Sequence, residues 1–224
     1  IKKDYVNIQK FAESALAKTA DDTRKKSLST LVEEANYSQI QTDSASLDAQ
    51  KRIMLLKQFS AKHKNSKLSQ DALWQSVSLA YSNGFDVQGA DLSQQYASQF
   101  PNDKRNLDAT KEALKAYIEA GQLKKAVLTS RELAKLEPNK AQAHLELSCD
   151  LLRVNSQLPE ARGCYKALFD QSEKSRKTEL LSKLMKSFGD RKNLTELQSI
   201  ENQITKDNIE PYATQIIIAK AQKL

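Results

Sequence analysis

Glycine and proline are scarce in this chain, at 5 and 4 of 224 residues. So few glycines leave no material for a Gly-rich phosphate-cradling loop. The two histidines, His63 and His144, stand far apart, with no cysteine or carboxylate near either at ligand spacing. A zinc site needs a closed set of three or four ligands, so no metal site is assigned. No Gly-x-Ser-x-Gly occurs, and neither cysteine has a histidine neighbour at helical spacing. The carboxylate pairs Glu33-Glu34 and Glu112/Glu119 read as solvated helix faces. The residues therefore offer no catalytic site and no cofactor site, and the chain reads as a non-enzyme. Runs of Val, Ile and Thr are almost missing, Ile216-Ile217-Ile218 being the nearest, so no sheet is expected. No apolar stretch reaches the length that a membrane-spanning helix needs. No signal peptide is visible, and the sequence opens on Ile1 rather than Met. A processed protein, or one segment of a larger solenoid, fits that opening.

What the chain has is Ala, Leu, Lys, Gln and Ser, the straight or small side chains that lose little freedom in a helix. It is 39% hydrophobic and 28% charged. That is polar for a compact globule and ordinary for a thin, extended array with much surface. The net charge is +7, but the signs are interspersed: Lys111 stands beside Glu112 and Arg131 beside Glu132. The longest basic knot is Arg24-Lys25-Lys26. Such scatter describes a solvated surface that tolerates acidic partners and argues against a nucleic-acid stripe.

One spacing recurs. Tyr117 is followed nine residues on by Ala126 and seven further by Leu133. The same interval holds for Tyr81, Ala90 and Ala97, for Leu152, Ala161 and Leu168, and for Phe188, Leu197 and Ile204. A weaker copy is Ile40, Ala49 and Leu56. A large residue near the end of one helix must touch a second helix running back. A small residue early in that second helix lets the backbones approach, and seven residues later the same face returns. Turn signals fall between: Ser82-Asn83-Gly84, Ala120-Gly121, Asn155-Ser156 and Gly189-Asp190. Pro159 suits a first helical turn. Outside these copies, Asp4 to Lys18 reads as a helix with Tyr5, Ile8, Ala12 and Ala15 on one face. Thr23 to Ile40 and Ala45 to His63 read as a further hairpin.

Trp74, Tyr81 and Ala90, then Tyr117, Gly121, Ala126 and Pro138, then Ala161 and Tyr165, fall on positions of a helix–turn–helix pattern of about 34 residues. On these residues the chain resembles the tetratricopeptide-repeat (TPR) family. The family's early Gly position departs, reading Ser78, Leu114, Cys149 and Met185. The stretch "FSAKHKNSKLSQDALWQSVSLAYSNG" followed by "QQYASQFPND" also resembles the TPR-type repeats of bacterial cell-envelope proteins. The resemblance implies an all-α fold, a right-handed superhelical solenoid of antiparallel helix hairpins. Residues 1–66 would hold N-terminal helices with one degenerate repeat, 67–210 four TPR-like repeats, and 211–224 a capping or continuing helix.

The resemblance also implies a function: a non-catalytic scaffold that binds a partner polypeptide in the groove lined by the first helices. The register puts Gln75, Leu79 and Ser82 in that groove, then Lys111, Lys115 and Ile118, then Glu146, Asp150 and Arg153, and finally Ser182 and Lys186. Lys111 and Lys115 share a helical face and either meet an acidic segment or serve solubility. A multiprotein assembly in the cell envelope or periplasm is favoured over the cytoplasm. The alternative is a single-strand RNA binder built of helical repeats, disfavoured by the scattered charge and by groove positions that differ from copy to copy. A contact with a surface polymer is permitted by the net charge and nothing more. Cys149 and Cys164 fall on the two helices of one hairpin. On sequence they read first as two small buried hydrophobes, with a disulfide stapling the repeat as the other reading.

Overall fold

The computed structural model describes residues 4–43, 47–64, 66–187, 199, 200 and 202. Among them there is no strand, and the chain is an all-α solenoid of antiparallel hairpins. Ten α-helices follow one another among the described residues: α1 (Tyr5–Lys18), α2 (Asp22–Asp43), α3 (Ala49–Lys62), α4 (Lys67–Ser82), α5 (Asp86–Gln99), α6 (Asn106–Glu119), α7 (Leu123–Leu136), α8 (Ala141–Val154), α9 (Leu158–Gln171) and α10 (Lys174–Lys186). A 3-10 turn over Pro138–Lys140 leads into α8. None of the described helices is long and apolar enough to cross a membrane. The copy built on Phe188, Leu197 and Ile204 and the final helix expected from residue 211 lie outside the described residues.

The helices fall into two compact units, 1–116 and 117–224. In the first, α1 packs on α2, α3 on α4, and α4 on α5. In the second, α7 packs on α8, α8 on α9, and α9 on α10.

Three turns share one hydrogen-bond pattern. The N–H of Phe85 donates to the Ala80 carbonyl at 2.9 Å, that of Gln122 to Tyr117 at 2.8 Å, and that of Gln157 to Leu152 at 2.9 Å. One residue earlier, Gly84, Gly121 and Ser156 donate to Tyr81, Ile118 and Arg153 at 3.1, 3.0 and 3.0 Å. This is the Schellman closure, which satisfies the last carbonyls of a helix and requires a left-handed residue just past its end. Gly84 and Gly121 supply it with φ of +72° and +67°, and Ser156 takes it at 57° without glycine's freedom. The next helix starts at once: Phe85, Gln122 and Gln157 offer their carbonyls to Gly89, Ala126 and Ala161 at 2.8, 3.1 and 2.9 Å.

The small residues expected at the helix crossings are where the crossings are. Ala90, Ala126 and Ala161 are each fully buried, as are Leu133, Tyr117 and Tyr165 to within a few per cent. In the α4–α5 hairpin the ring of Tyr81 rests on Gly89, one residue before Ala90. The core of the first unit gathers Ile53, Leu73, Val77, Ala80, Leu92 and Tyr96, with Trp74 and Phe100 packed against it. A second cluster joins Leu56, Phe59 and Ala72 to Tyr37, Ile40 and Leu68.

Two expectations need correction. The helix at Thr23–Ile40 is longer than expected, and its main packing is on α1, not on the helix that follows. Tyr37 and Ile40, near the end of α2, pack on the Leu56–Phe59–Ala72 cluster. Ile8, expected on the covered face of α1, is exposed, whereas Ala12 is fully buried. Among the described helices α1 packs chiefly on α2, and one neighbour covers a narrower stripe than two would.

Candidate functional site

Side chains about one repeat apart link α2 to α4, α4 to the start of α6, and α8 to α10. Gln41 of α2 donates to Gln75 of α4. Asp71, at the start of α4, accepts Arg105 at 3.4 Å. Asp150 of α8 accepts Lys183 of α10 at 2.9 Å. Alternate helices are thus linked, and within each unit the outward side chains of α4 and the start of α6, or of α8 and α10, are the ones the expected groove would present.

In the first unit that face carries Gln75, Leu79, Ser82, Lys111 and Lys115. Gln75 is exposed and engaged by Gln41. Leu79 is half-buried against the core, and the Ser82 hydroxyl turns back to donate to the Leu79 carbonyl at 3.1 Å. Lys111 is half-buried and Lys115 exposed.

The edge of the face is fixed by Arg105. Its guanidinium lies 5.3 Å from the ring centroids of both Trp74 and Tyr96, a doubled cation–π contact. Its Nε donates to Asp103 Oδ1 at 2.9 Å and its other arm to Oδ2 at 3.0 Å. This two-pronged pairing, helped by the Arg105 backbone N–H, holds the Asp103 carboxyl down at about 2 against burial, which would raise it. Gln70 also donates to Asp103. Burial pushes the Tyr96 hydroxyl up to about 12.

In the second unit the expected face holds Ile118, Glu146, Asp150, Arg153, Ser182 and Lys186. Ile118 and Lys186 are exposed; Arg153 and Ser182 are half-buried. Glu146 is buried, and α10 covers it: Arg176 pairs with it, and Lys183 reaches it at 2.6 Å. Asp150 is shared between Lys183 and the Tyr165 hydroxyl. Burial alone would lower Lys183, but Glu146 and Asp150 outweigh it and hold the ammonium above its usual range. Burial, and then Asp150, push Tyr165 up to about 12. These carboxylates are committed inside the molecule. Of the residues that claim them, Arg176 and Lys183 were not singled out from the sequence, and Tyr165 was named only as a position of the repeat pattern. The signal was present: Lys183 stands 33 positions after Asp150, close to one repeat.

Cys149 and Cys164 face each other across α8 and α9 and are joined in a disulfide, with Cα atoms 5.5 Å apart. The preferred sequence reading as two separate small hydrophobes is corrected: Cys149 is fully buried, and its sulfur is bonded.

No family model and no curated protein matches the chain. Two crystal structures of nearly identical TPR-like repeats, from a kinesin-light-chain candidate of Podosopora anserina and from a single-substitution form of it, are similar to it. Each is 14% identical and covers 81% of this chain, with 96% and 95% of its own length and TM-scores of 0.39 and 0.37, respectively.

Proposed function

We propose that the chain is a non-catalytic interaction scaffold whose first-helix faces, carried by the repeats of residues 67–210, hold a partner polypeptide. The observation that carries this reading is the linkage of first helices one repeat apart, through Asp71–Arg105 and Asp150–Lys183. Stacked hairpins of this kind present a rigid, continuous surface on which a peptide can lie without costly rearrangement. Gln75, Ser82 and Lys115 in the first unit, and Ile118 and Lys186 in the second, are the exposed contacts on those faces. Lys111 and Lys115 lie one helical turn apart and favour an acidic segment of the partner. Glu146 and Asp150 act as the brace that sets the spacing of α8 and α10, and the partner meets their neighbours.

The reading favours an assembly in an oxidising compartment such as the cell envelope. The support is the Cys149–Cys164 bond, which persists in oxidising compartments and is rare where glutathione keeps thiols reduced.

The test is capture of partners by the intact chain, repeated with Lys111→Glu/Lys115→Glu after circular dichroism has shown the variant to be folded. Loss of the same proteins from the variant's capture supports the reading. Capture of the same set by both forms removes these lysines from the interface.

A further inference from the structure

Outside the first-helix faces, a cleft of about 700 Å³ opens between α2 and the α3–α4 turn. None of the face residues named above lines it. Four lysines converge there: Lys26 from α2, Lys62 and Lys64 from the end of α3, and Lys67 from the start of α4. All four are exposed, and none has an ion pair among the described residues. What sets the cleft apart is the convergence of four such lysines on one concavity; the paired basic groups, such as Arg105 with Asp103 and Asp71, Lys183 with Glu146 and Asp150, and Lys166 with Asp170, lie elsewhere. The cleft also contains Glu33 and Glu34, but Glu33 is engaged by His63 Nδ1 at 3.6 Å. Four lysines against two glutamates leave the cleft a net positive charge, to which the N-terminus of α4 adds its partial charge.

We infer that this cleft is a docking site for an acidic segment of a polypeptide, separate from the first-helix faces. Its size is that of clefts that enclose a drug-sized ligand, far more than one phosphate ion fills. Its cations are all lysines, compact point charges on flexible stems. The planar forks of arginine, which match phosphate with two parallel hydrogen bonds, are missing from its lining. Glu34 inside the cleft repels a densely charged polyphosphate or nucleic-acid backbone. A peptide whose carboxylates are spaced along its length avoids that clash, and its backbone N–H groups can donate to Glu34. The hydroxyls of Ser29 and Ser66 border the same space.

The test uses the intact chain and a fluorescent oligoglutamate peptide at low salt, read by anisotropy. Lys62→Gln/Lys64→Gln removes charge without reversing it at the end of α3, and circular dichroism checks its fold. The expected result is binding that weakens on the order of tenfold in this variant and falls with added salt. Lys124→Gln/Lys135→Gln, at two exposed lysines of α7 outside the cleft and the named face residues, should leave oligoglutamate binding unchanged, which ties the loss to the cleft rather than to the chain's overall positive charge. Inorganic polyphosphate of matched charge is the competing probe. If oligoglutamate does not bind, or binds both forms alike, or if polyphosphate binds more tightly through the same two lysines, the assignment is overturned.

Discussion

The ring of Tyr81 lies so close to Gly89 that a Cβ added at the glycine would come within 2.8 Å of ring carbon Cε1. Helix propensity alone would reward Gly89→Ala by up to about 1 kcal/mol. Here the new methyl must displace a half-buried ring that packs on the first unit's core, and overpacking of that kind costs about 1–3 kcal/mol. The substitution is therefore expected to destabilise by about 1 kcal/mol. With Tyr81→Ala in place the same change should stabilise. Urea denaturation of the four forms of this cycle reads the reversal of sign, and two effects of equal sign would show that the contact does not limit the crossing.

Ser156 occupies the position that Gly84 and Gly121 fill in the two preceding turns, at a φ of 57°. A side chain in the left-handed region costs about 1–2 kcal/mol relative to the ordinary one, and glycine escapes that cost. Its larger backbone freedom when unfolded takes part of the gain away. Ser156→Gly should raise stability by about 0.5–1 kcal/mol, and Gly121→Ala should lower it by a similar amount. Thermal unfolding of both variants, in opposite directions from the parent, is the measurement.

The repeat was legible because its signal is steric. A small residue nine positions after a large one must be buried if two helices cross there, and Ala90, Ala126 and Ala161 are. The turns were legible through Gly84 and Gly121. Two things could not be read the same way. The pairing of α2 with α1 depends on which of two neighbours wins a long helix, and local pattern does not decide that. The fate of Glu146 depends on α10 folding over it, so a residue that helical register points outward is buried in an ion network. Register gives the direction of a side chain; only the neighbouring repeat decides whether that direction is solvent. For Cys149 and Cys164 the sequence placed both residues on one hairpin, but the distance that permits a bond follows from how closely α8 and α9 approach.

Asp103 makes the stability of the first unit depend on acid. Its carboxyl titrates at about 2 in the folded chain, against 3.8 ordinarily, because Arg105 binds the ionised form. Above about pH 4 the group is ionised whether the chain is folded or not, and the Arg105 contact stabilises fully. Between about pH 4 and pH 2 the unfolded chain takes up the proton first, so the contribution is lost as pH falls. Asp103→Asn should be less stable at neutral pH and lose less on going from about pH 4 to about pH 2. Chemical denaturation at those pH values tests it; parallel curves for parent and variant would place the acid sensitivity elsewhere.

The Cys149–Cys164 bond joins residues 15 positions apart and closes a loop that comprises the end of α8, the Ser156 turn and the start of α9. Closing a loop of that length removes unfolded-state freedom worth about 3 kcal/mol in the chain-entropy account. The bonded pair also lies where the hairpin is already tightly packed, beside the buried Ala161 and Tyr165, so the folded state need not rearrange when the bond is cut. Reduction should therefore lower the unfolding temperature of the second unit while leaving the helix content near its oxidised value. Far-ultraviolet circular dichroism on heating, with and without a phosphine reductant, reads both quantities. Cys164→Ser leaves the fully buried Cys149 in place and should match the reduced parent more closely than Cys149→Ser, which also puts a hydroxyl into the core. A native chain that shows two free thiols before any reductant is added would remove the staple, and with it the support for an oxidising compartment.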